Sequence, residues 1–179
     1  MDYTLDKIVE RLLESYKAYY DIYLNEENWD SAIVARCEYY EHSEKFVMSK
    51  KAELWSENSE EFLYLIKLQR FTLADFELYK NLIYKDGMER AHIGPGHMYT
   101  YITPVFVCEE ADEDAITALK KCRIYKSFRF SFHGWMDFHT AVIEINKNKI
   151  SSNASGRCVE RVLKRVLFPK EKALKKKIS

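Results

Sequence analysis

The sequence predicts an α+β fold: a single mixed, mainly antiparallel sheet of about six strands with helices packed on it, in the order α-β-β-β-α-β-α-β-β-α. Three observations predict it. Apolar residues recur at helical spacing near both ends, branched and aromatic runs alternate between them, and a short helical stretch separates two strands that it joins by a crossover. With 179 residues the chain fits one domain over 1–169, followed by a basic tail, 170–179, expected to fray.

The first helix carries Leu5, Ile8, Leu12, Tyr16, Tyr19 and Tyr23 on one face, and the polar run NEENWD (25–30) ends it. Residues 33–41 and 45–55 read as strands joined at His42-Ser43-Glu44, and 57–61 (ENSEE) as a second turn. FLYLIKL (62–68) is almost continuously apolar, as in a central strand covered on both sides. Thr72 and Asp75 form a capping-box pair and Phe71 and Phe76 a hydrophobic staple, which starts a helix reaching about Ala91. Gly87 weakens that helix by about 1 kcal/mol relative to Ala.

After Gly94-Pro95-Gly96, a strand runs over 98–108. Pro104 cannot donate to a ladder, which predicts an edge strand or a bulge. A helix over 112–122 has acids at its start and bases at its end, matching its macrodipole. Strands at 124–133 and 136–146, joined at Gly134-Trp135, precede a helix over about 155–167 with Val159, Val162, Leu163, Val166 and Leu167 at helical spacing.

Composition limits the function. Lys+Arg and Asp+Glu are 28 each, so no global attraction to nucleic acid or an anionic membrane is expected. No apolar run is long enough to span a bilayer, and the charged N-terminal stretch is no signal peptide. Aromatics make up 15% of the chain, including 13 Tyr. That excess predicts a binding surface or a polar-lined core boundary. Cys37, Cys108, Cys122 and Cys158 are scattered without metal or disulfide spacing and read as reduced thiols of a cytoplasmic protein.

The strongest constellation is His133-Gly134-Trp135-Met136-Asp137-Phe138-His139. Asp137 and His139, two apart on a strand, share a face, which suits a metal-ligand pair or a carboxylate-oriented base; a structural strand-end pair is the plainer reading. If Gly134-Trp135 is a two-residue type II′ turn, Asp137 and His139 lie beside Phe128, Phe130 and Phe132. His133 then points to the opposite face, and a longer loop would bring it back into play. A second candidate is Gly94, Gly96 and His97 leading into Tyr99 and Tyr101, with His97, Tyr99 and Tyr101 alternating onto one face. If strands 98–107 and 124–133 run parallel, His97 and His133 lie a strand length apart, whereas antiparallel placement would reverse that.

Other classes are weaker. Lys126, Phe128 and Phe130 superficially resemble an RNA-recognition strand, yet Ser127 stands where that motif needs Gly. The basic stretch 164–179 could bind phosphates, or attract the acidic N-terminal thirty residues of this chain or a second copy, although most such ends are simply solvated. The opening α-β-β-β-α-β order resembles the core of PD-(D/E)xK nucleases, with Glu38, Glu44, Glu53 or Glu61 as candidate acids, but no acid has Lys two residues later. G-x-S-x-G, P-loop and HExxH motifs are absent, and the sequence names no cofactor and no metal site.

GPGHMYTYITPVFVC (94–108), CRIYKSFRFSFHGWMDFHTAVIEI (122–145) and SGRC (155–158) resemble a family of uncharacterised single-domain proteins from anaerobic Gram-positive bacteria that share a domain of unknown function. The resemblance implies a bacterial cytoplasmic protein and transfers no catalytic residue. The sequence therefore points first to a non-enzymatic ligand- or protein-binding domain, with Tyr99, Tyr101, Gly94, Gly96, His133 and Trp135 as binding candidates and a second copy of the chain as a partner. The alternative is a small metal-dependent hydrolase or nuclease-like enzyme using His139, Asp137 and His97.

Overall fold

The structure is a computed structural model describing residues 4–25, 29–46 and 53–168; the basic tail lies outside the described residues. In chain order it contains α1 (Leu5–Tyr16), β1 (Asp21–Leu24), β2 (Ile33–Phe46), β3 (Glu53–Phe71), α2 (Leu73–Arg90), β4 (His97–Ala111), α3 (Glu113–Lys121), β5 (Tyr125–Ser127), β6 (Trp135–Phe138), β7 (Ala141–Glu144), β8 (Lys149–Ser152) and α4 (Arg157–Leu167). The class is the α+β expected, but the mixed sheet has eight strands among the described residues.

The sheet runs β1-β2-β3-β4 and then divides. One continuation is β6-β5 and the other is β7-β8, both starting from β4. Pairings of β1–β2, β2–β3, β5–β6 and β7–β8 are antiparallel, whereas β4 is parallel to β3, β6 and β7. The parallel pairs follow from the connections, since α2 and α3 are crossover helices.

Helices cover both faces. Even-numbered residues Phe62, Tyr64, Ile66, Ile102 and Phe106 pack under Phe76, Tyr79 and Ile83 of α2 and Ile116 and Leu119 of α3. Odd-numbered residues Leu63, Leu65, Val105 and Val107 pack under Ile8 and Leu12 of α1 and Leu163 and Leu167 of α4. The continuous apolar run of β3 is thus buried on both sides, as its composition requires. The capping box is present: Thr72 Oγ1 accepts from the Asp75 amide and Asp75 Oδ2 from the Thr72 amide. Phe71 and Phe76 meet edge to face at 6.3 Å.

Several boundaries differ from expectation. Helix α1 ends at Tyr16, and residues 21–24 leave it to pair with β2, so Tyr19 and Tyr23 are exposed rather than on a helix face. His42-Ser43-Glu44 and 57–61 are not turns: they lie inside the paired strands β2 and β3, and Ser59 and Glu60 are buried there. The strand expected over 136–146 is two, β6 and β7, separated at His139-Thr140.

Pro104 explains that separation. The carbonyls of Ile102 and Cys108 accept from His139 and Ile145, so even-numbered residues of β4 aim their backbone groups at this side. Pro104 has the same parity and no N–H to offer. It sits in an interior strand, not at an edge, and its missing donor faces the gap between β6 and β7.

Gly87 is a packing residue. A Cβ there would lie 2.7 Å from Ile102 Cδ1 and 2.9 Å from Ile102 Cγ2, so α2 approaches β4 more closely than any side chain allows. Gly87→Ala should therefore lower stability by about 1–2 kcal/mol, overlap outweighing the gain in helix propensity. Chemical denaturation would check this, with Ile102→Val expected to restore part of the loss; a stabilised Gly87→Ala protein would show that the helix has room to spare.

Candidate functional site

The turn at Gly134-Trp135 is not a two-residue hairpin. Tyr125, Lys126 and Ser127 pair with Asp137, Met136 and Trp135, leaving 128–134 as a loop. Its backbone is left-handed at Arg129, Phe130 and Ser131 (φ 46, 55 and 69°), which breaks the strand that the alternating phenylalanines predicted. Gly134 closes it with φ 67°, where a Cβ would fall 2.1 Å from the Met98 carbonyl oxygen. Phe130 and Phe132 consequently stand in solvent, 97% and 84% exposed, and do not flank Asp137 or His139.

The rings beside that pair are others. Tyr99 and Tyr101 stack at 4.4 Å, Trp135 lies 6.0 Å from Tyr99, and Tyr101 lies 4.4 Å from the His139 ring. His139 Nε2 is 3.8 Å from Asp137 Oδ2, a proximity of charge rather than a hydrogen bond. His139 is buried, which pushes its pKa below the ordinary value against the opposing pull of Asp137. Asp137 keeps 27% of its side chain exposed, so the carboxylate is the accessible member of the pair.

These groups belong to a longer pattern. Successive registers align Tyr39 with Glu61, Glu61 with Tyr101, Tyr101 with Asp137, and Asp137 with Tyr125. One row across five strands thus reads Tyr-Glu-Tyr-Asp-Tyr on the face that α1 and α4 share, and the paired Tyr99 and Trp135 occupy the next row. Tyr20, in the segment after α1, donates its hydroxyl to Glu61 Oε2 at 2.7 Å and packs 5.7 Å from Tyr39. Burial, then the neighbouring Tyr99 and carboxylates, raise the Tyr101 phenol, so it stays neutral.

His97 is not on this face. The β3–β4 register slips between Asn58↔His97 and Ser59↔Tyr99, which turns His97 to the α2 side. There its Nδ1–H donates to the His133 carbonyl (2.7 Å), and Nε2 lies 2.8 Å from Thr100 Oγ1. The Thr100 hydroxyl donates to Glu60 Oε1 at 2.7 Å. Glu60 also accepts from the His92 amide and ring. The strand-length separation held only for parallel strands: β5 runs antiparallel to β6 and hence to β4, which brings His133 back to the start of β4 beside His97. Sequence reasoning missed Glu60 and His92, whose only signal is a charge inside a strand otherwise becoming apolar.

The remaining candidates scatter. Gly94 and Gly96 make turn contacts, their carbonyls accepting from the His97 and Asn58 amides. Gly96, His97, Phe132, Gly134 and Trp135 line a shallow cavity of about 260 Å³. Glu38 is buried against Arg36 (2.6 Å) on the α2 side, opposite Glu61, so those acids do not converge; the side chains of Glu44 and Glu53 lie outside the described residues. Among the described residues no group of three His, Cys, Asp or Glu side chains could hold a metal ion. Cys37 and Cys108 are buried with thiols pushed up to about 12, Cys122 is half-buried and Cys158 exposed. No helix among the described residues is long and apolar enough to cross a membrane.

Asn153, also unforeseen, holds the site in place. Its Oδ1 accepts from the Thr140 and Gly156 amides, and its Nδ2 donates to the Cys122 and Phe138 carbonyls. These are backbone groups that the β6–β7 break and the adjoining helix ends would otherwise leave unpaired.

Fold and site define an α+β domain with an aromatic and acidic row on one sheet face. The chain belongs to the family described as Domain of unknown function (DUF8052), whose model matches residues 4–165. No curated protein and no solved structure matches it.

Asn153→Ala should cost about 3 kcal/mol or more, since several buried polar groups lose their partner together; a loss below about 1 kcal/mol in denaturant titration would contradict the clamp. For His139 the unfolded chain takes up a proton near pH 6.5 that the folded chain resists, so stability falls as pH drops below about 6.5. A His139→Gln protein should lose stability less steeply between pH 7 and 5. Parallel curves for the two proteins would refute this assignment.

Proposed function

We propose that this chain is a non-enzymatic ligand-binding domain whose site is the row Tyr39-Glu61-Tyr101-Asp137-Tyr125 with the Tyr99–Trp135 rings beside it. The observation that carries the reading is the alignment of aromatic rings and carboxylates at one register level on a partly open sheet face. Half-buried rings offer apolar area and a polar edge to a ligand, and carboxylates between them orient it. A bacterial cytoplasmic setting and pairing with a second copy belong to the same proposal, the former in keeping with free thiols.

The second reading is a small metal-dependent hydrolase or nuclease-like enzyme centred on Asp137 and His139. Its support is the 3.8 Å approach of the two groups. His139 is nearly fully buried, so only Asp137 is presented to a substrate.

The Trp135 indole N–H resonance, assigned by its loss in Trp135→Phe, reports on the site. Screening the full chain against anionic, neutral and cationic fragments should find at least one class that shifts this resonance, and Tyr101→Ala should abolish the shift. If no fragment moves it, the binding reading fails; hydrolysis of a generic ester or phosphodiester lost in both Asp137→Asn and His139→Gln would install the enzyme reading instead.

A further inference from the structure

We infer that the loop 128–134 docks reversibly on an anionic lipid bilayer: Phe130 and Phe132 enter its interfacial layer while Arg123, Lys126 and Arg129 meet its headgroups. The loop stands at the margin of the sheet, between the outermost strand β5 and its neighbour β6. Of its three alternating phenylalanines, Phe128 is the anchor, its ring 6.0 Å from that of His97 and packed against the core under α2. Phe130 and Phe132 are almost wholly exposed, and neither touches another ring among the described residues. Large apolar side chains grouped in water mark a surface that another phase or molecule covers.

The backbone holds these rings outward against its own preference. Arg129, Phe130 and Ser131 are three successive left-handed residues, none of them glycine, a conformation that L side chains disfavour. A closed set of bonds carries the strain. The Phe128 amide donates to the Gly134 carbonyl, and the Phe132, His133 and Gly134 amides donate to the Arg129, Phe128 and Ser131 carbonyls. His97 Nδ1–H then fastens the His133 carbonyl to the start of β4. The rings are therefore presented in an ordered frame, which lowers the entropy lost on docking.

Charge selects the occupant. Between Asp114 and Asp137 the chain has no acid, while Arg123 and Lys126 lie just before the loop and Arg129 within it. All three cations are exposed, and none forms an ion pair among the described residues. The overall neutrality of the chain leaves this local excess intact, because screening limits each charge to its own neighbourhood. Exposed aromatic side chains beside uncompensated cations are the pairing that an anionic membrane surface recognises. A second copy docked through the same loop would set the three cations against their own counterparts. Single-stranded nucleic acid stacks on rings presented as a platform, whereas Phe130 and Phe132 stand free of any other ring.

Co-sedimentation of the full chain with vesicles tests this, using phosphatidylcholine alone or mixed equally with phosphatidylglycerol. The mixed vesicles should bind about tenfold more tightly, and raising salt should remove most of that preference. Phe130→Ser combined with Phe132→Ser should weaken binding to the mixed vesicles about tenfold and leave the denaturation midpoint unchanged. Phe130→Trp should retain binding, with the added indole emission moving to the blue as the ring leaves water. Equal binding to the two vesicles, binding unchanged in the double-serine protein, or an unmoved emission overturns the inference. A large fall in the midpoint of the double-serine protein also overturns it, since the rings would then pack inward. So does a dimer that the serine substitutions dissociate, or a single-stranded oligonucleotide that binds more tightly than the mixed vesicles.

Discussion

The arrangement depends on the amide of Asn153. One buried side chain closes four backbone hydrogen bonds where three things happen together: β6 gives way to β7, α3 ends, and α4 begins. A sheet interrupted inside its own ladder exposes donors and acceptors with no geometric partner, and leaving them buried costs more than almost any packing defect. A side-chain amide, with two donors and an acceptor of two lone pairs, matches that demand. His139 takes its place beside Tyr101 because the residues on either side of it are held by this clamp and by its own amide on Ile102.

The two faces of the sheet divide the polar chemistry between them. On the α2 side Glu60, Thr100 and His97 are buried and partnered, tying the Gly94–Gly96 turn and the 128–134 loop to the central strands. On the α1/α4 side the helices cover the later parts of β3 and β4 and leave the earlier parts, with their tyrosines and acids, only half-buried. The first arrangement builds the fold; the second leaves surface available to another molecule.

How much of this could be read from the chain depended on range. The capping box and staple at 71–76 are local chemistry and stand where expected, as do the helix charges at 112–123 and the buried apolar run at 62–66. Asp137, His139, Tyr99, Tyr101 and Trp135 were legible as candidates, and they do assemble. Their partners were not. Phe128, Phe130 and Phe132 alternate as a strand would, but Arg129, Phe130 and Ser131 adopt a left-handed backbone that no glycine announces. His97 shares odd parity with Tyr99, and one slipped register sends it to the other face. Glu61 joined the site only through pairing with a strand forty residues away, which periodicity cannot report.

The donorless residue at 104 also gives the sheet margin a mechanical character. On either side of it β4 carries a separate pair of short strands, and no ladder bond joins one pair to the other across the break. Each pair is a small leaf hung on a common spine, and the Asn153 side chain, bonded to the Phe138 carbonyl on one side and the Thr140 amide on the other, ties the two together. The leaf formed by β5 and β6 bears Trp135, Asp137 and the loop with its two solvent-facing phenyl rings. Part of the aromatic row therefore rides on the leaf while Tyr39, Glu61 and Tyr101 stay on the continuous strands, and the leaf is anchored to them by Met136 and Phe138, both fully buried in the core under α2.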